Sequence, residues 1–218
     1  MKISLVLACP VFGHCALGVP HVEDQIEVEP LCVDERVPET CAESPGLHGT
    51  TGEDPSEGQC RIYEAFNEGI GAATGDVVGL LHLCDSLGYA GALADVCRTL
   101  DQTGADAVYG DLAYVAQDDR NRLLRYWRSG HWAAENVASG WVPPLPAFFA
   151  RREIYERARR RDGRIFNTVS SVDPGHDLMV RLLVKMRISI AYLPKVLVKI
   201  PVASPSNQIV ASMTRQGA

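Results

Sequence analysis

Two periodicities of apolar positions divide the chain. Residues 2–8 (KISLVLA) and 28–33 (VEPLCV) are short apolar runs of the kind that form buried strands, the second with Pro30 near its start. Between them, CPVFGHCALGVPHVEDQIE holds two prolines and two glycines, leaving room for at most a short helix. Residues 38–58, rich in Pro, Gly, Ser, Thr and acids, predict a long polar loop. Ile62, Ala65, Phe66 and Ile70 then fall at helical spacing over 61–73. A strand at 76–83, a helix at 90–101 and a strand at 106–109 follow, an alternation that predicts an α/β sheet with parallel members. Residues 111–127 predict a hairpin around a polar DDRN turn, 151–161 a basic helix, 176–187 a second helix, and 188–193 and 196–200 two strands. Val108, Tyr109, Trp127, Trp141, Phe148, Leu182, Tyr192 and Val198 read as core. The sequence has no internal repeat.

Composition narrows the function classes. The 218 residues, 46% hydrophobic and 22% charged, suit one domain with a substantial core. A formal net charge of −6 argues against a protein that holds nucleic acid through phosphate contacts. The arginines of ARREIYERARRRDGR are interleaved with glutamates at helical distances, so that stretch reads as a solvated face. No apolar run has the length of a membrane span, and MKISLVLA is too short for a secretion signal, so a cytoplasmic protein is expected. The seven cysteines form no Cys-x-x-Cys pair or zinc-finger spacing, and most are expected to be thiols.

Candidate chemistry gathers at strand ends, because open α/β sheets bind ligands beyond the carboxyl ends of their strands. Asp34 follows VEPLCV, and VVGLL runs straight into His82, Leu83, Cys84 and Asp85. Acidic strand ends of this kind suit a nucleoside diphosphate with a divalent metal, since oxygen ligands hold Mg²⁺ or Mn²⁺ and the metal neutralises the departing phosphates.

The stretch IYEAFNEGIGAATGDVVGLL resembles the segment GIYDAMNKGIxxATGDIIGFLNSDD of family 2 glycosyltransferases. DAVYGDLAYV, LLRYWRSGHW, GWVPPLPAFFARREIYE, DLMVRLL and AYLPKVLVKIPV continue the resemblance from about residue 61 to 207, in the order found in the branch that builds bacterial polysaccharides and lipopolysaccharides. Before residue 60 only KISLVLA and LCVDE line up. The resemblance implies a GT-A-like fold, a mixed, mostly parallel central sheet flanked by helices. It implies one domain over 1–218, with a nucleotide-binding half at 1–110 containing an irregular 38–60 loop, an acceptor-binding half at 111–207 and a tail at 208–218.

It further implies an inverting hexosyltransferase-type enzyme that takes a nucleotide-sugar, a UDP-sugar, as donor and a glycan or lipid-linked acceptor. Peripheral contact with the inner face of the membrane, assisted by the basic helix at 151–161, and a homo- or hetero-oligomer are partner expectations of the same kind. Carried over by position, Asp34 would contact the uracil or ribose, Glu64 and Asn67 the donor, and His82, Cys84 and Asp85 the ribose and a Mg²⁺ or Mn²⁺ ion, with Cys84 and Asp85 as the metal positions. Arg125 and Arg181 are candidate cations for the diphosphate.

The sequence departs from that pattern at specific places. Cys84 stands where the family has a carboxylate and His82 where it has Asn; Leu145 and Ala147 replace the His and Thr of PPHPTFF. Gly175 stands at the position of the catalytic base, and glycine cannot accept a proton. Asp173, His176 and Asp177 are the remaining candidates for the catalytic role; the structural alternative is a helix N-terminal charge for Asp177 and an ordinary loop acid ahead of a proline for Asp173. The alternative to a transferase is a catalytically silent homologue that binds nucleotide or serves as a scaffolding subunit.

Overall fold

A computed structural model describes residues 1–9, 22–23, 26–34, 55–82, 84–168 and 173–202. The chain forms β1 (Lys2–Cys9), β2 (Val22–Glu23), β3 (Ile26–Asp34), α1 (Pro55–Ala72), β4 (Val77–His82), β5 (Ser86–Leu87), α2 (Ala92–Thr103), β6 (Ala107–Ala116), β7 (Leu123–Trp127), β8 (Phe148–Arg151), α3 (Arg152–Arg157), α4 (Pro174–Val180) and β9 (Ile190–Val202). The strands make one sheet in the order β2-β3-β1-β4-β8-β6-β9-β5, with β7 paired to β6. β1 runs parallel to β3 and β4, and β6 parallel to β9, while the short β2, β5, β7 and β8 are antiparallel to their neighbours. This is the expected mixed, mostly parallel sheet flanked by helices.

The apolar runs explain the long strands. Ile3, Leu5, Val6 and Ala8 of β1 are fully buried, as are Ala107 and Val108 of β6, because helices or loops cover both faces of the sheet. One face carries α1, α4 and the Phe148–Ile154 region around Tyr63, Phe66, Tyr109 and Phe166. The other packs Leu93, Val96 and Leu100 of α2 on Leu5, Val77 and Phe149. Gly79 is required where β8 crosses β4, since a Cβ there would lie 2.5 Å from the Phe149 ring. Pro30 sits within β3 beyond its short pairing with β2, where a missing N–H is tolerated.

Several predicted boundaries are corrected. The polar loop read at 38–58 lies mostly outside the described residues, and its end is helical: α1 begins at Pro55, whose fixed φ suits a first helical turn. The strand read at 106–109 and the first arm of the hairpin are one strand, β6, of 10 residues. The basic helix read over 151–161 stops at Arg157, after which the Arg160 N–H donates to the Arg164 carbonyl around Gly163, at φ +81°. The helix read over 176–187 begins at Pro174 and passes into a π-helical turn at Arg181–Lys185. The two last strands are one, β9, whose pairing with β6 steps from Leu193 to Val196 across Pro194. Trp127, Trp141 and Tyr192 of the expected core are half-buried, and the other five are buried. Cys32, Cys84 and Cys97 are thiols, and Cys9 is disulfide-bonded.

Candidate functional site

The three parallel strands β3, β1 and β4 end together. In register, Cys9 lies beside Asp34 and Ala8 beside His82. Two strand spacings therefore separate Asp34 from His82, about 10 Å. The chain leaves β1 toward β3 and later crosses to β4 on the other side, so these strand ends form a topological switch point, where such sheets take ligands. The Asp34 side chain lies outside the described residues.

Beyond β4 the chain turns back tightly. The Asp85 N–H donates to the His82 carbonyl (2.9 Å), and the His82 N–H donates to the Asp85 carboxylate (3.0 Å). Burial pushes the Asp85 carboxyl up to about 6, against the opposing pull of the His82 N–H and the positive charge of Arg120. Cys84 is exposed beside it. Tyr114, buried on β6, faces the same region: burial raises its hydroxyl's pKa, Arg125 acts to lower it and Asp85 to raise it. Arg125 is held in β7 opposite Tyr114, with its guanidinium 5.8 Å from the centre of the Trp127 ring. The fold thus brings Asp85, Tyr114, Arg120 and Arg125 into one electrostatic neighbourhood; Arg120 and Tyr114 carry no motif that would have marked them.

The expected divalent metal does not fit these residues. One thiol and one carboxylate, the latter folded onto a backbone N–H and desolvated, are poor partners for Mg²⁺ or Mn²⁺. Among the described residues no group of three or more His, Cys, Asp or Glu side chains is placed to hold a metal ion.

Glu64 and Asn67 serve a different segment. Asn67 Oδ1 accepts from the Ile165 and Phe166 N–H groups (2.9 and 2.8 Å), and its Nδ2 donates to the Phe166 carbonyl (3.1 Å). Glu64 accepts from Arg164 (2.8 Å) and from the Thr168 hydroxyl. The two side chains, one helical turn apart on α1, bind 164–168 to that helix. Arg181 is likewise internal, donating to the Ala158 carbonyl at 2.8 Å and to the Ile165 carbonyl.

At the start of α4, Asp173 is the N-cap: its Oδ1 accepts from the His176 N–H at 2.7 Å, and its Oδ2 accepts from the Tyr63 hydroxyl at 3.3 Å. Asp177 forms ion pairs with Arg160 (3.4 Å) and Arg181 (3.8 Å). His176 is half-buried between them in sequence. Gly175 is buried, and a Cβ there would lie 2.7 Å from the Tyr63 hydroxyl. The phenol of Tyr63 thus fills the space into which a carboxylate at 175 would project.

No protein-family model and no curated protein sequence matches the chain. Solved structures do. The Staphylococcus aureus protein TarS, residues 1–349 in complex with UDP, superposes with a TM-score of 0.56 at 14% identity over 93% of this chain and 61% of that one. Its complex with UDP-GlcNAc gives 0.54 at 13% identity, over 94% and 60% of the two chains. The mannosyltransferase PcManGT from Pyrobaculum calidifontis, in complex with GDP-Man and Mn²⁺, gives 0.51 at 16% identity, over 98% and 60%. The chain therefore spans about three fifths of the length of each. At such identities the likeness bears on the fold, and the fold is that of the GT-A glycosyltransferases.

Proposed function

We propose that this chain binds a nucleotide-activated sugar, a UDP-sugar, at the ends of β1, β3 and β4 and transfers the sugar to a hydroxyl of a glycan or lipid-linked acceptor in surface polysaccharide synthesis. The observation that carries this reading is the convergence of those three strand ends in a fold shared with nucleotide-sugar-bound proteins. Arg125, which acts on Tyr114, and Arg120, which acts on Asp85, offer the diphosphate positive charge in place of a metal, and Arg is well suited to phosphate oxygens. The acceptor oxygen attacks the anomeric carbon as the bond to the diphosphate breaks, which inverts the configuration. The hydroxyl proton passes to a carboxylate, for which Asp173 is our assignment, since carboxylate oxygens accept more than one hydrogen bond.

A second reading, binding without transfer, is favoured by one specific observation: the Tyr63 hydroxyl lies 2.7 Å from where a Cβ at Gly175 would stand, at the position that the resemblance gives to the base. Calorimetric titration with UDP and GDP, with and without Mn²⁺, followed by an assay for consumption of UDP-GlcNAc and other sugar nucleotides, separates the two. UDP binding that needs no Mn²⁺ and weakens about tenfold or more in Arg125→Gln is the expected result, given 1.5–3 kcal/mol for charge-assisted hydrogen bonds. Binding without sugar consumption in the presence of acceptor extracts would select the silent reading. No binding of any nucleoside diphosphate would remove both.

A further inference from the structure

Three neighbouring strands, β7, β6 and β9, converge on one buried carboxylate. Asp111 of β6 is 1% exposed and accepts from the Tyr126 hydroxyl of β7, from the Tyr192 hydroxyl of β9 (2.7 Å) and from the Ser129 N–H (2.8 Å). Both phenols are thereby held by their tips. The Tyr126 ring nevertheless stays 48% exposed, and Tyr192 is half-buried. A bulge at Leu124 decides where β7 points its side chains. Ala113 pairs with Tyr126 and Val115 with Leu123, so these two share the face of Asp111, while Arg125 and Trp127 turn to the other.

An aromatic row continues from there. Tyr192 stacks on the buried Tyr109 with 5.3 Å between ring centres, Tyr109 meets Trp141 edge-on at 6.4 Å, and Trp141 stacks on Trp132 at 6.1 Å. The exposed His131 lies edge-on to Tyr192 at 5.1 Å. Trp132, Trp141, Leu145 and Tyr192 are all partly buried against the core on the sheet face that carries α4. Leu145 stands 3.3 Å from the Cβ position at Gly175, as does the Asp173 carboxylate. The segment that carries Trp141 therefore reaches the start of α4, and the far end of the row is β7. Gly79 and Val108 both pair with Phe149, so three residues on, Asp111 stands level with His82, two strand spacings or about 10 Å away.

Rings tethered at their tips and open on a face lose little freedom when a ligand covers them. The ligand such a surface takes is flat, apolar on its face and polar at its rim. A pyranose with equatorial hydroxyls has that shape: its axial C–H bonds cover both faces and its hydroxyls lie around the edge. An acyl chain offers no hydrogen bond to His131 or to Arg128, the exposed polar groups beside Tyr192. A second copy of the chain would set the four arginines of residues 120–128 against another four, which like-charge repulsion opposes.

We infer that Tyr126, Tyr192, Trp132 and Trp141 form a stacking platform for the glycan part of the acceptor, made of gluco-configured pyranoside units, and that Asp111 is the positioning residue for its outer rings. This rests on the transferase reading for its place beside Asp173 and adds to it the class of sugar and the residues that hold it.

The test is saturation-transfer NMR on the full chain without nucleotide. The probes are cellotriose and triacetylchitotriose, with the soluble short-chain lipid dihexanoyl phosphatidylglycerol as comparison. A parallel titration with UDP reads the donor site, so failure of the donor reading and failure of the platform are seen separately. Transfer is expected to the ring protons of one sugar face, H1, H3 and H5 or else H2 and H4, and not to the lipid. Tyr126→Ala and Trp132→Ala should each weaken sugar binding about three- to tenfold, the range for an aromatic contact. Tyr126→Phe keeps the ring and loses the tether to Asp111. It should weaken binding less than Tyr126→Ala and blur the contrast between the two sugar faces, which a merely structural tether would leave sharp. A cooperative melt of each variant establishes that it folds. The inference is overturned if neither sugar receives transfer at millimolar concentration, if transfer is equal on both faces, or if the alanine variants bind as wild type does. It is also overturned if Tyr126→Phe matches wild type in affinity and face contrast, if the lipid receives the transfer instead, or if Tyr126→Ala acts by dissociating a dimer in sedimentation.

Discussion

Gly175 and Tyr63 form a steric pair. Placing a carboxylate at 175 forces its Cβ against the Tyr63 hydroxyl, whose ring is fixed against Phe66 and Phe166 at centroid distances of 6.2 and 4.9 Å. Gly175→Asp is therefore expected to destabilise the protein by about 1–3 kcal/mol and to leave sugar transfer no faster, as overpacking does. Gly175→Asp/Tyr63→Phe removes the obstructing oxygen and should recover part of the lost stability; urea melts of the two variants read the difference. Asn67 offers a second test. Its three hydrogen bonds all go to the backbone of 165–166, so Asn67→Ala should cost about 2–3 kcal/mol in the same melts. A donor-contacting Asn67 would instead weaken nucleotide binding at unchanged stability. Its place in the sequence gave no hint of this use, because the partners lie about 100 residues away and present only main-chain atoms.

Elements are joined at the opposite end of the sheet by Glu29. It lies on β3 and accepts from Lys2 (3.0 Å) and Ser4 of β1 and from the N–H and hydroxyl of Thr74 (3.0 and 2.6 Å) before β4. Burial works to raise the Glu29 pKa, but the hydrogen bonds from Ser4, Thr74 and Lys2 win and hold it at about 2. A carboxyl whose folded pKa lies below its unfolded one stabilises above the unfolded value, near 4.5, and loses that contribution as pH falls toward 2. Glu29→Gln should thus lower stability by about 2–3 kcal/mol at neutral pH, with the gap to wild type closing between pH 4.5 and 2 in thermal melts. Strand positions were legible because continuous apolar runs mean burial on both faces. Boundaries were not: the arginines after Arg157 read as helix formers, while Gly163 and the Arg160–Arg164 hydrogen bond impose a turn. Pro194 split in sequence a strand that in space merely steps its register.

For the whole molecule, the α/β class could be read from the alternation of strands and helices, and β3, β1 and β4 from their apolar runs, whose ends lie side by side. The electrostatic company of Asp85 could not, since Tyr114 and Arg120 reach it only through the β6–β7 hairpin. β9 lies between β6 and β5, yet it is the last described strand in the chain. Its partners, Ala107–Ala116 and Ser86–Leu87, are made 83 to 113 residues earlier. A ribosome working from the N-terminus at about 5–20 residues per second therefore leaves one edge of β6 waiting for several seconds or more. Over that interval Val108 and Leu112, paired on one side with Phe149 and Trp127, have no strand on the β9 side, and a chaperone has its opening. Stalled nascent chains ending before residue 190 should be cleaved readily by added protease, and chains extended well past 202 should resist it.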